Sequence, residues 1–160
     1  MNIELIKTGI PINENDVGLF EKEIGHELPS FYRDYLIQFN GGKPAHPFFD
    51  VPTWQFKISL IQEFKGLDSN YIGVDLREIH LIKGDIFPSG FIAIGKDPGG
   101  NLILISLEGN TRGKIYFWDH ELQPQDQLES LDEYVNLHPL ADSFEQFILS
   151  LKREDEMEWD

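Results

Sequence analysis

One stretch limits the folds open to this chain more than any other: Phe91 to Glu121, FIAIGKDPGGNLILISLEGNTRGKIYFWDHE. It divides into three short runs, Phe91 to Ile94, Asn101 to Leu107 and Lys114 to Trp118, dense in the β-branched and aromatic residues that suit a pleated, half-buried surface. Two joints separate them. Asp97-Pro98-Gly99-Gly100 combines a ring that fixes φ near the value a turn needs with glycines that reach conformations closed to other residues. Glu108-Gly109-Asn110-Thr111-Arg112-Gly113 again places Gly and Asn at turn positions. The stretch therefore predicts the middle of an antiparallel sheet, which the rest of the chain must cover.

The flanks supply helices. Asn13 or Asn15 is placed to cap a helix running to about Ile24, because an Asn side chain accepts from a first-turn N–H that has no other partner. Val17, Phe20 and Ile24 share one face, and Gly25 ends the helix. Pro29 opens a second helix, with Leu28, Tyr32, Tyr35, Leu36 and Phe39 as its apolar stripe and Gly41-Gly42 as its stop. Phe48 to Val51 and Trp54 to Leu60 read as strands, and most of the area of Phe48, Phe49, Trp54 and Phe56 is expected in the core. Lys65 to Asn70 reads as a loop, Val74 to Leu81 as a helix, Leu122 to Asp132 as an exposed loop and Tyr134 to Leu137 as a last strand.

A closing helix follows, capped by Asp142 or Ser143, with Phe144, Phe147, Ile148 and Leu151 on one face and Lys152 and Arg153 where the dipole favours cations. Glu154 to Asp160, with five acids in seven residues, reads as a frayed tail. At 160 residues the chain has the size of one α+β domain, residues 1 to 160, with a core large enough to need no staples.

Charge bears on partners. The chain holds 28 acidic and 13 basic residues, a formal charge of −15, and residues 111 to 160 alone hold 13 acids against 4 bases. Such a chain repels phosphates, so direct nucleic-acid binding is not expected and a basic partner is favoured. Cysteine is absent, which removes disulfides, thiolate metal clusters and thiol nucleophiles. The N-terminus lacks the pattern of a signal peptide, and no apolar run reaches the about 18 residues of a membrane span, so a cytoplasmic protein without a membrane partner is expected.

Leu28-Pro29-Ser30-Phe31-Tyr32-Arg33-Asp34-Tyr35-Leu36, closed by Asn40-Gly41-Gly42, resembles the LPxxYxxFL…NGG signature of the SMI1/KNR4 family, also called the SUKH superfamily. Ile94-Gly95, Asp97, Gly99-Gly100-Asn101 and Gly113 to Glu121 resemble its second block, IGxDxGGN…GxVYFWDHE. Ser143-Phe144-Glu145-Gln146-Phe147 is similar to the SFEEF motif that opens the family's last helix. Phe31 departs from the pattern, standing where the family often has a charged residue. The resemblance implies an α+β fold with N-terminal helices and a C-terminal helix around a mainly antiparallel sheet of about six strands. It also implies work by binding: bacterial members are commonly immunity proteins that neutralise toxins, many of them nucleases, and fungal members regulate cell-wall synthesis and signalling.

Chemistry of the chain's own has one candidate. Asp119-His120-Glu121, with Asp97 across the sheet, offers two carboxylates and an imidazole, a set that could hold a metal or act as acid and base. Consecutive residues of a strand point alternately to opposite faces, which is poor geometry for one site, and such a triplet at a strand end more often bonds local backbone. His26, His46, His80 and His138 show no metal spacing, and no serine sits in GxSxG.

The expectation is thus a non-enzymatic binding protein, without metal or cofactor, that occludes a basic toxin through Asp119, His120 and Glu121, with Phe49 and Trp54 as anchors. A regulatory or scaffold module is the second reading, and a hydrolase using Asp119 and His120 the third.

Overall fold

Asn13 begins the first helix by reciprocal bonding: its side chain accepts from the Asp16 N–H at 3.1 Å, and the Asp16 carboxylate accepts from the Asn13 N–H at 2.8 Å. The computed structural model describes residues 1–67 and 75–159. Along the chain run β1 (Leu5–Lys7), α1 (Glu14–Ile24), α2 (Ser30–Phe39), β2 (Lys43–Pro44), β3 (Phe48–Asp50), β4 (Ile58–Leu60) and β5 (Glu63–Phe64). Then come α3 (Leu76–Lys83), β6 (Phe91–Lys96), β7 (Leu102–Ser106), β8 (Ile115–Trp118), β9 (Leu137–Ala141) and α4 (Phe144–Leu149).

The central meander forms as expected. β5 to β9 lie side by side in sequence order as one antiparallel five-stranded sheet, with β7 pairing β6 through Ile92↔Ile105 and β8 through Ile103↔Phe117. The expected α+β fold around a mainly antiparallel sheet is found, with five strands in that sheet where about six were expected; among the described residues, β1 pairs with β2 and β3 with β4 as two separate antiparallel ribbons.

The period of two decides which side chain goes where. Ile92, Ile94, Ile103, Ile105, Ile115 and Phe117 face a core closed by α1, α2 and α4. Phe91, Ala93, Leu102, Leu104 and Trp118 face a second, smaller core with Phe87 and Tyr134. Both faces are therefore covered, which explains why these strands are apolar throughout. Trp118 packs inside that second core, 5.2 Å from Phe87 and 5.9 Å from Tyr134 between ring centres. Phe31, the departure from the family pattern, meets the Phe144 ring at 6.3 Å.

Asn40-Gly41-Gly42 does more than stop α2. Asn40 takes the left-handed conformation, φ 48°, and its buried amide donates to Ile10 O and Leu67 O, both at 2.8 Å, while its oxygen accepts from the Leu67 N–H at 2.7 Å. At Gly42, φ 110°, a Cβ would sit 2.2 Å from Lys7 O. The triplet is the point where β1, α2 and β5 are drawn together, and only a residue without a side chain admits that approach.

Several boundaries move. Trp54 to Phe56 form a turn between β3 and β4 instead of a strand, and Lys57 is held there at φ 65°. The last strand is β9, not Tyr134 to Leu137, because Tyr134 caps a 3₁₀ turn and buries its ring. Asp75 caps α3 by accepting from the Arg77 N–H at 2.8 Å; Val74, expected inside that helix, and Asp68 to Asn70 of the expected loop lie outside the described residues.

α4 stops at Leu149, so Lys152 is no dipole cation: its backbone bridges to Phe48 and its Nζ meets Asp50 Oδ2 at 2.9 Å. The acidic end has contacts of its own, with a 3₁₀ turn at Glu154–Glu156, Met157 buried and the Trp159 ring 5.8 Å from Phe48. β9 stands at the sheet's margin and carries Pro139, with Leu140 unmatched between the Tyr116↔Pro139 and Ile115↔Ala141 pairs.

Candidate functional site

The sequence-predicted residues converge on one end of the central sheet, where the β6–β7 turn, the hairpin loop of β3–β4 and the segment after β8 come together. Asp97 organises the turn. Its Oδ1 accepts from the Gly99 and Asn101 N–H groups at 2.9 and 2.8 Å, and its Oδ2 accepts from Asn101 Nδ2 and Ser59 Oγ, both at 2.9 Å. The Asn101 amide is thereby oriented: with Nδ2 spent on Asp97, Oδ1 receives the His120 N–H at 3.1 Å and His120 Nδ1 at 2.8 Å. Facing an oxygen with no proton to give, His120 Nδ1 must be the protonated ring nitrogen. The far side of the ring lies over Gly100, φ 94°, where a Cβ would come within 3.2 Å of it.

Asp119 is 3% exposed and equally committed. Oδ2 accepts from Trp54 Nε1 at 3.1 Å, and Oδ1 accepts from the Glu121 N–H at 3.0 Å. Its backbone N–H donates to Asn136 O at 2.9 Å, and its carbonyl accepts from Asn136 Nδ2 at 3.1 Å. Asp119 thus turns toward Trp54, His120 toward Asn101 and Gly100, and Glu121 outward to solvent. One bond of the triplet is the local backbone brace that its spacing favours, Asp119 Oδ1 to the Glu121 N–H; the others tie it to Trp54 and Asn101 on distant segments. Among the described residues, no group of three or more His, Asp and Glu is arranged to hold a metal ion.

The two aromatic anchors part company. Phe49 is 1% exposed, packed on Phe117 and Phe147 at 6.2 and 5.3 Å, so it serves the core and offers nothing to a partner. Trp54 is nearly buried at 9%, with its indole tied to Asp119. The ring that reaches the surface is Phe56, 63% exposed and set T-shaped on Trp54 at 5.0 Å. Its place beside Phe48, Phe49 and Trp54 hides that exposure in the sequence. Val135 also reaches the surface, and the alternation of Tyr134 in, Val135 out and Asn136 in is readable in the sequence.

The same region is electrically one-sided. From Ile115 to Leu151 there is no Lys or Arg and there are eight acids. Glu121, Asp126, Glu129 and Asp132 are exposed, and none of them makes an ion pair among the described residues. His138, bonded through Nδ1 to Thr53 Oγ at 2.7 Å, has its pKa lowered by burial, with Asp119 pulling weakly the other way.

Fold and site together define a single α+β domain whose motif side chains brace the backbone at one end of its sheet. The chain belongs to the SMI1 / KNR4 family (SUKH-1), which it matches over residues 11–150. It is also 32% identical over 157 residues to the SPbeta prophage-derived uncharacterized protein YokK of Bacillus subtilis (strain 168), an alignment covering 88% of this chain and 75% of that one. Among the described residues, no helix is long and apolar enough to cross a membrane.

Proposed function

We propose that this protein is an immunity-type binding protein of the cytoplasm, which neutralises a basic toxin by covering its active surface and carries out no chemistry itself. The observation that carries the reading is membership of the SMI1 / KNR4 family across residues 11–150, since bacterial members of that family commonly act as immunity proteins. Its resemblance to a prophage-derived protein agrees with such a role. So does the charge of −15, which steers a cationic partner toward the chain and lets carboxylates occupy positions that phosphates would take on a nuclease.

The test is co-expression with the toxin domain encoded beside this gene. Cells are expected to survive only when both are made, and the purified pair to form a stable complex in which toxin activity is lost. A gene with no toxin beside it, together with no binding to any polymorphic toxin domain, would sink the reading.

A further inference from the structure

Among the described residues, the segments around the braced end of the sheet expose three large apolar side chains, Phe56, Leu122 and Val135. Phe56 is 63% exposed, yet its position is set from below by Trp54, whose indole is held by Asp119. The loop carrying it is closed by Val51 N–H to Lys57 O at 2.7 Å, Lys57 N–H to Trp54 O at 3.1 Å and Lys57 Nζ to Pro52 O at 2.9 Å. Val135 is 74% exposed between two buried neighbours, Tyr134 and Asn136. Single exposed apolar residues are ordinary on a protein surface. These two are each tied through one residue to Asp119, and a large ring already ordered before contact loses little freedom on binding. Asn136 Oδ1, in the same cluster, is buried without a hydrogen-bond partner among the described residues.

We infer that this sheet end is the docking face for a basic protein partner, with Phe56 and Val135 as its apolar contacts and Glu121 as its charged one. The inference rests on the immunity-type reading and adds the surface to it. The sign of the charge chooses the occupant: the segment that follows β8 exposes Glu121, Asp126, Glu129, Asp132 and Glu133 with no Lys or Arg before Lys152, so it repels nucleic acid and a second copy of this chain and attracts a surface bearing Lys and Arg. The cations nearby are Lys57, whose Nζ is turned back onto Pro52 O, and Lys96 at the end of β6, paired with Glu63 at 3.1 Å; the exposed acids after β8 outnumber them. Trp54 and Asp119 are positioning residues that hold Phe56 and Glu121 without reaching the partner themselves.

The experiment measures binding of the full chain to the catalytically silenced toxin domain encoded beside its gene, at low and high salt. Phe56→Glu is expected to weaken binding by roughly 30-fold or more, as expected at a central aromatic contact. Glu121→Lys should slow association and flatten its salt dependence. Leu19→Glu, a comparably exposed apolar position on α1, serves as the control and should bind like the parent. Circular dichroism checks that each variant folds. Parent-like binding by both Phe56→Glu and Glu121→Lys would overturn the docking face while leaving the function standing. No binding by the parent chain would overturn the function and this inference with it. A concentration-dependent dimer of the parent that Phe56→Glu abolishes, seen by sedimentation, would make the face a contact between copies and also overturn the inference.

Discussion

Asp97 and Arg112 stand at opposite ends of the central sheet, each beside a glycine-bearing turn, and they fasten those turns in different media. Asp97 is buried, and its carboxylate accepts four hydrogen bonds from Gly99, Asn101 and Ser59. Arg112 is exposed, and its Nη1 donates to Glu27 O at 2.7 Å and Leu107 O at 2.8 Å, with His26 Nε2 3.8 Å from Glu108 nearby. Water can replace the bonds of Arg112 but not those of Asp97, so bond for bond the two fastenings have unequal worth. One end of the sheet is stiffened from within, and the other is merely fastened.

The sharpest way to break this contrast is Asp97→Ala. It strands the Asn101 N–H and amide, and is expected to cost about 3 kcal/mol by denaturant unfolding; a loss under about 1 kcal/mol would mean the braced end is no stiffer than the other. Asp119→Ala leaves Trp54 Nε1 and the Glu121 N–H without their acceptor, and about 2 kcal/mol should be lost by the same measurement. Gly100→Ala combines a strained φ with a collision against His120, for about 1 to 2 kcal/mol. Adding His120→Ala should recover part of that cost, so the double variant should be less destabilised than the two singles added together.

At the other end, Arg112→Ala is expected to lose about 0.5 to 1 kcal/mol, and His26→Ala to stay within about 0.5 kcal/mol of the parent. The smallest effect concerns pH. His138 is held neutral in the folded chain by a pKa below its ordinary 6.5, so around that value the unfolded chain binds more protons. Its contribution is intact above pH 6.5 and falls away as the pH drops through the ordinary value toward the folded one. A stability–pH curve for His138→Gln should be flatter over that acid limb, and an unchanged curve would remove His138 from the brace.

Much of this architecture could be read from residues whose meaning is local. Asn13, Gly25 and Ser143 cap helices through their own backbone, and the Ile-rich runs around Asp97-Pro98-Gly99-Gly100 pair because nothing else short-range competes. What escaped depended on distant partners. Phe49 and Phe56 share an aromatic stretch, yet Phe49 meets Phe117 and Phe147 while Phe56 has only Trp54 beneath it, a distinction set by chain remote in sequence. The motif blocks pointed to one end of the sheet. They did not reveal that Asp119 would be consumed by Trp54, 65 positions away, which turns an apparent reactive triplet into scaffolding.

Pro139 and the unmatched Leu140 put an irregular strand on the outer flank of the sheet. A passing chain that tried to extend the sheet there would meet a missing donor and an offset in spacing, so backbone templating finds no foothold. Main-chain adhesion is indifferent to sequence, and suppressing it along this flank leaves discrimination to side chains. Under the proposed immunity role, in which one toxin has to be told from its many cousins, a reluctant border is part of the selectivity.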